Sequence, residues 1–276
     1  MMRIDAHQHF WQLALRGGGW PPPSLGAIYH DFAPADLAPL LGAHGVQGTV
    51  LVQSLPSEDD TQLLLALAEQ NSFIRAVVGW TDLLAVDAPA AIARLAANKK
   101  LKGLRPMLQD ISDEQWIANP ALAPALTAMV EHGLRLDALV LPRHLPALLQ
   151  CARAFPGLPI VIDHAAKPPI ADAQFGHWRE DMAQLAALPN VHCKLSGLVT
   201  EAKPRWAVED LQPYVAHVLD VFGAQRVIWG SDWPVVDLAG GYGAWLAASE
   251  ALLAHLGQQD RNDIFGLNAH RFYRLA

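Results

Sequence analysis

The segment Val227-Ile228-Trp229-Gly230-Ser231-Asp232-Trp233-Pro234 sets a short apolar run ahead of a carboxylate and a turn-forming proline. A run of this length, bounded by turn residues, reads as a strand buried on both faces. It is the last of eight. The others cover residues 3–10, 48–53, 74–81, 101–106, 134–140, 160–164 and 191–196. Between them lie longer stretches with helical apolar spacing, over 87–97, 120–132, 142–155, 175–188, 208–222 and 242–256. A further helix opens at Ser57-Glu58-Asp59-Asp60, a capping residue followed by the acids that suit a helix N-terminus. Gly45, Gly133, Gly223 and Gly257 stand where the C-terminal glycine of a helix belongs. Strands and helices alternate as consecutive βα units, which makes the sheet parallel. Eight units in 276 residues, with no linker or low-complexity tract, predict one α/β domain over 1–276, a (β/α)8 TIM barrel. The open doubly wound sheet is the rival, and its Gly-x-Gly-x-x-Gly phosphate turn is absent.

Composition narrows the partners. Twenty Lys+Arg against 27 Asp+Glu give a formal charge of −7, with no basic stripe to follow a phosphate backbone, so nucleic acid is not expected. No window approaches the roughly 18 apolar residues of a membrane helix, and the N-terminus enters a strand at once, so neither membrane nor secretion is expected. Cys151 and Cys193 lack the spacing of a zinc knuckle and fit a reducing, cytoplasmic setting.

In such a barrel the chemistry sits at the C-terminal ends of the strands. The first strand ends Asp5-Ala6-His7-Gln8-His9. A side-chain period of two puts Asp5, His7 and His9 on one face and turns Ala6 and Gln8 toward the helices. Two imidazoles so placed can reach one point on the barrel axis, as a metal or a charged intermediate requires. Asp232 ends the eighth strand, which neighbours the first once the barrel closes. His164 ends the sixth, with Asp163 and Lys167 close by. Read singly, each has a bland explanation: a hydrogen-bonded core histidine, or a helix-capping aspartate. Together they are hard to explain that way, because burying each without a partner costs roughly 2–7 kcal/mol. Arg105 and Lys194, at the ends of the fourth and seventh strands, are candidates for binding substrate oxygens. A structural ion pair with Asp137 or Asp163 is the equal alternative for both. The loop Gly17-Gly18-Gly19-Trp20-Pro21-Pro22-Pro23 is expected to overhang the mouth.

His7-Gln8-His9, Asp163-His164-x-x-Lys167-Pro168, Cys193-Lys194-Leu195-Ser196-Gly197, Gly230-Ser231-Asp232-Trp233-Pro234 and the terminal 264–273 segment together resemble the amidohydrolase superfamily. Within it the chain is similar to the amidohydrolase-related branch of sugar-lactone and pyrone-lactone hydrolases, most of all the L-fucono-lactone group, with L-rhamnono-lactone hydrolases next. The resemblance implies lactone opening in sugar catabolism, on a small-molecule sugar lactone, by a monomer or homodimer. It also implies a site in which Asp232 is general base, and His7, His9 and His164 are metal ligands or electrophilic donors. Binuclear members of the superfamily bridge their two metals with a lysine carbamate or a Glu at the end of the fourth strand. Here that position is Arg105, so at most one Zn2+ is expected, held by His7, His9, His164 and Asp232, and activity without it stays open. A pyrone-dicarboxylate lactonase and a metal-dependent decarboxylase on the same fold are the competing activities.

Overall fold

The computed structural model describes residues 2–276. Eight parallel strands follow one another around the sheet in chain order: β1 (Ile4–Gln8), β2 (Gly48–Val52), β3 (Ile74–Gly79), β4 (Leu101–Leu104), β5 (Arg135–Ala138), β6 (Ile160–Ile162), β7 (Val191–Leu195) and β8 (Val227–Trp229). Helices return the chain between them: α1 (Pro34–His44), α2 (Glu58–Gln70), α3 (Ala88–Ala96), α4 (Ala123–Glu131), α5 (Leu145–Ala154), α6 (Trp178–Ala186), α7 (Val208–Phe222) and α8 (Tyr242–Leu252). The sheet closes just beyond the ends of β1 and β8, where Asp232 N donates to His7 O at 2.8 Å and His9 N to Trp233 O at 2.8 Å. Gly230 is required at this seam, because a Cβ there would lie 2.7 Å from that of His7. This is the expected barrel. No helix is long and apolar enough to cross a membrane.

Local signals behave as the sequence indicates at most boundaries. Ser57 Oγ accepts from Asp59 N at 3.1 Å and Asp60 N at 3.4 Å, capping α2. Gly45 ends α1 in the left-handed region at φ 63°. Gly257 departs from expectation: α8 stops at Leu252, and Gly257 instead precedes a new helix, α9 (Gln258–Asn262). The chain then runs through a π-helical turn into α10 (Asn268–Tyr273), two helices that the sequence reading did not separate.

Two apolar layers result. Alternate strand residues such as Leu51, Val77, Leu136, Ile162 and Trp229 pack outward against the helices. Ile4, Ala6, Val50, Val52, Ala76, Val78, Val161 and Ile228 form a second cluster with Ala269, Phe272, Tyr273 and Leu275 of the C-terminal segment. These are the interior residues, and α10 closes the barrel at the strands' N-terminal end.

The interior position of Ala6 corrects the predicted face of β1. Ile4 pairs with Gly48 and Asp5 with Thr49, but Gln8 pairs with Leu51, so three residues on β1 span two on β2. This bulge shifts the alternation, as an extra residue in one strand must. Asp5 therefore lies on the helix side, where it accepts from Ser231 Oγ at 2.6 Å and Tyr242 OH at 3.1 Å. His7 and His9, beyond the shift, reach the strand-end site.

Candidate active site

The strand ends surround a cavity of about 380 Å3 lined by His9, Arg105, His164 and Asp232, with Trp20, Gln109, Lys167, Thr200 and Glu201 on its walls. Trp20 belongs to the glycine- and proline-rich loop, which reaches the mouth as expected. At the floor, Asp232 Oδ1 lies 3.3 Å from His9 Nε2, 3.7 Å from His7 Nε2 and 3.9 Å from His164 Nε2. Three imidazoles from two strand ends thus converge on one carboxylate oxygen from a third.

Two of these residues depend on unusual backbone. Asp232 sits at φ 60°, so its side chain turns back over the seam instead of continuing the strand alternation. After β6 the chain makes a left-handed turn: His164, Ala165, Ala166 and Lys167 have φ of 53°, 49°, 62° and 51°. Each such residue costs roughly 1–2 kcal/mol relative to the right-handed form. Specific contacts hold the turn. Trp178 Nε1 donates to Ala165 O at 2.8 Å, and His164 Nδ1 lies 2.9 Å from Ser196 Oγ. Gly197 leaves room for the ring, since a Cβ there would come within 2.5 Å of His164 Nδ1.

Below the floor, His7 is fully buried and rests on a charged cluster. Lys194 Nζ lies 3.1 Å from His7 Nδ1, 2.5 Å from Asp137 Oδ2 and 3.0 Å from Asp163 Oδ1. Tyr273 OH, from α10, donates to Asp137 Oδ2 at 2.6 Å. Lys194 has no exposed surface and does not line the cavity. It therefore takes the ion-pair alternative rather than the substrate-binding one. Arg105 does line the cavity; it also pairs with Asp163 at 3.4 Å and donates to Gln53 O.

Burial acts first on every ionisable group here, and the neighbours decide the outcome. It drives the His164 imidazole down to about 4, against the pull of Asp232 and Asp163. His7 is lowered as well, by burial and then by the Lys194 ammonium. His9 is lowered by burial too. Burial opposes the charge on Asp232, but His164, His9 and His7 outweigh it and keep the carboxyl below the usual carboxylate range. Asp163 is likewise held low against burial, by Lys194 first, then His7 and Arg105. At neutral pH the site is a set of neutral imidazoles around an ionised carboxylate.

That donor set suits one transition-metal ion. His7, His9 and Asp232 offer ligand atoms within 4.8 Å of one another, and His7, Asp163 and His164 form a second, overlapping group. His9 carries the decisive detail. Its Nδ1 lies 2.7 Å from Val52 O, a carbonyl that can only accept, so the proton resides on Nδ1 and Nε2 presents its lone pair toward Asp232. The residues present fit a metal ion.

Sequence reasoning assembled His7, His9, His164 and Asp232, but treated Asp163 only as an ion-pair partner and passed over Ser196 and Glu201. Alternation would place Asp163 and His164 on opposite faces; the left-handed turn brings both inward, and no local residue type announces it. Ser196 lies within a segment already singled out for its family resemblance. Glu201, on the loop beyond β7, is raised by burial, with Lys167 at 3.8 Å opposing. Nothing in its sequence surroundings marks it.

Comparison with known proteins adds a family. The family model described as Amidohydrolase matches residues 4–275. An L-fucono-1,5-lactonase of Burkholderia ambifaria is 59% identical over 277 residues, covering 99% of this chain and 96% of that protein. An L-fucono-1,5-lactonase of Burkholderia multivorans is 35% identical over 286 residues, with 99% and 96% covered. A crystal structure of an amidohydrolase from Burkholderia multivorans with bound zinc superposes with a TM-score of 0.94 at 36% identity, covering 100% of both chains.

Proposed function

The chain belongs to the amidohydrolase family, and from that premise we propose that it hydrolyses L-fucono-1,5-lactone, or a closely related L-aldonolactone, to the aldonic acid. The observation that carries this reading is the single carboxylate oxygen of Asp232 set among His7, His9 and His164 on the floor of the strand-end cavity. The two lactonases that share its length and much of its sequence support the substrate class.

Lactone opening requires a polarised carbonyl, an activated water and a proton for the departing ring oxygen. Asp232 is ionised and reaches the cavity, so it takes the proton from the attacking water and returns it to the ring oxygen as the tetrahedral intermediate collapses. His164, held by Ser196, and Arg105 line the same floor and donate to the oxyanion that forms at the carbonyl oxygen. Lys194 positions His7 from below and carries no contact with substrate. His7, His9 and Asp232 would hold one Zn2+, with His164 as the remaining ligand or donor; when bound, that ion would supply Lewis-acid polarisation. The walls favour a neutral, hydroxylated ring. Of their two cations Lys167 is engaged with Glu201, which leaves Arg105 alone to meet an anionic group, whereas a dicarboxylate needs cations free to pair with both of its charges.

We assign the whole chain, 1–276, to one domain. All the site groups come from one chain, so a monomer or a homodimer serves equally. Two buried free thiols, Cys151 and Cys193, fit a cytoplasmic enzyme. The test follows acid release by the purified protein on a panel of aldonolactones, with zinc content measured before and after chelation. Rapid hydrolysis of the L-fucono lactone with no more than one zinc per chain is expected. Failure on every lactone with zinc supplied would overturn the reading, and CO2 release from an aromatic acid would replace it with decarboxylation.

A further inference from the structure

The opposite end of the barrel carries a second cavity, of about 770 Å3, whose lining gathers Arg75, Lys99, Lys100, Lys102, Arg135 and Arg274. In a chain of net charge −7 such a concentration of cations is unexpected. Glu69 is the acidic side chain on the lining and the last residue, Ala276, lines it too, but among the described residues no carboxylate lies within ion-pairing distance of any of the six cations.

The ordinary explanation is that cations complement helix C-termini, since α2, α3 and α4 all end near this face. It accounts for part of the cluster. Lys100 Nζ donates to Ile74 O at 2.7 Å, and Arg135 donates to Phe272 O and Gly133 O. The side chains of Arg75, Lys99, Lys102 and Arg274 have no such partner among the described residues. Crowding is felt: Lys102 is lowered by its partial burial and then by Arg135, Arg274 and Lys100, and Arg135 falls to about 10 through burial and Arg274. Like charges gathered around a concave surface, two anchored by carbonyls and four unpaired, form a field that attracts a compact anion.

We propose that this cavity binds a small polyphosphate anion of the pyrophosphate class. Six cations match an ion that concentrates three or four charges in a small volume, and the guanidinium fork of Arg274, which has no partner among the described residues, matches phosphate oxygens. The site is separate from the candidate catalytic floor, because Lys102 lies near the start of β4 at one end of the barrel and Arg105 follows the strand at the other.

Calorimetric titration of the full-length protein with inorganic pyrophosphate at fixed ionic strength tests this, with citrate as a competing anion of similar charge. Saturable binding at one site is expected, at least tenfold weaker in a Lys102→Ala, Arg274→Ala double variant. Neither residue makes a side-chain hydrogen bond or ion pair in the fold, and lactone turnover at the wild-type rate would verify that the variant is folded. Absence of saturation at millimolar pyrophosphate would overturn the proposal. Equal affinity in the double variant would do the same, and citrate binding as tightly as pyrophosphate would overturn the assignment to phosphate.

Discussion

At the scale of single residues, the proposed reaction rests most heavily on Asp232, and its replacement separates chemistry from architecture. Asp232→Asn keeps the shape and the backbone hydrogen bond to His7 O, but removes the proton acceptor. Turnover is expected to fall by roughly 10²–10⁴, with an unchanged thermal midpoint and circular dichroism spectrum. Retention of near-normal kcat in the folded variant would remove Asp232 from the base role. Gly197 makes a steric prediction. A methyl group there meets His164 Nδ1 at 2.5 Å from a backbone at φ 62°, so Gly197→Ala must displace the imidazole or the turn that carries it. A loss of roughly 1–3 kcal/mol in stability, accompanied by a fall in kcat, is expected from urea unfolding and steady-state assays. The strand-end acids and imidazoles were legible in the sequence because polar residues closing apolar runs stand out. Gly197 was visible only as part of a motif, since what it avoids is a ring 33 positions away in the chain.

At the scale of elements, β1 and β7 show where periodicity succeeds and where it stops. Alternation located both strands, yet it placed Asp5 with His7 and His9. The bulge between Asp5 and Gln8 is a property of pairing with β2, and no pattern within β1 contains it. In β7 the sequence marks Lys194 as a strand-end cation, but its depth is set by Asp137 of β5, Asp163 after β6 and Tyr273 of α10. A lysine of this kind is required by the acids around it. Lys194→Met removes the cation and leaves Asp137 and Asp163 buried, so a loss of about 3–5 kcal/mol is expected in denaturant titration. A variant as stable as wild type would show that these carboxyls are protonated or reach solvent.

At the scale of the whole molecule, the order of βα units follows from the sequence because eight apolar runs in an undivided chain leave few closed arrangements. The C-terminal closure of the barrel was not legible, since Phe272 and Tyr273 reveal their role only when the interior cluster forms. His192 reports on this packed interior. Its ring lies 4.7 Å from that of Phe272, and burial, aided by Arg226 and Arg271, lowers its imidazole to about 4. The unfolded chain takes up the proton below about 6.5, whereas the folded one resists until near 4, so stability contributed by the neutral ring is lost as pH falls across that window. Relative to wild type, His192→Leu is therefore expected to be more stable at pH 4.5 than at pH 7.5 by about 2 kcal/mol, after allowance for the ring's partial exposure. Parallel urea titrations at the two pH values measure it; an equal difference at both would show that His192 titrates normally in the fold.

The seam between β1 and β8 joins residues 7–9 to residues 232–233, and the same few atoms bring Asp232 to its histidines. Residues 7–9 and 232–233 must therefore find each other before any turnover is possible, across a loop of more than 220 residues. In refolding experiments, recovery of helical ellipticity should precede recovery of activity. The catalytic assay then becomes a clock for the last long-range event in folding, and any ligand that bridges the seam holds the two ends of the chain together.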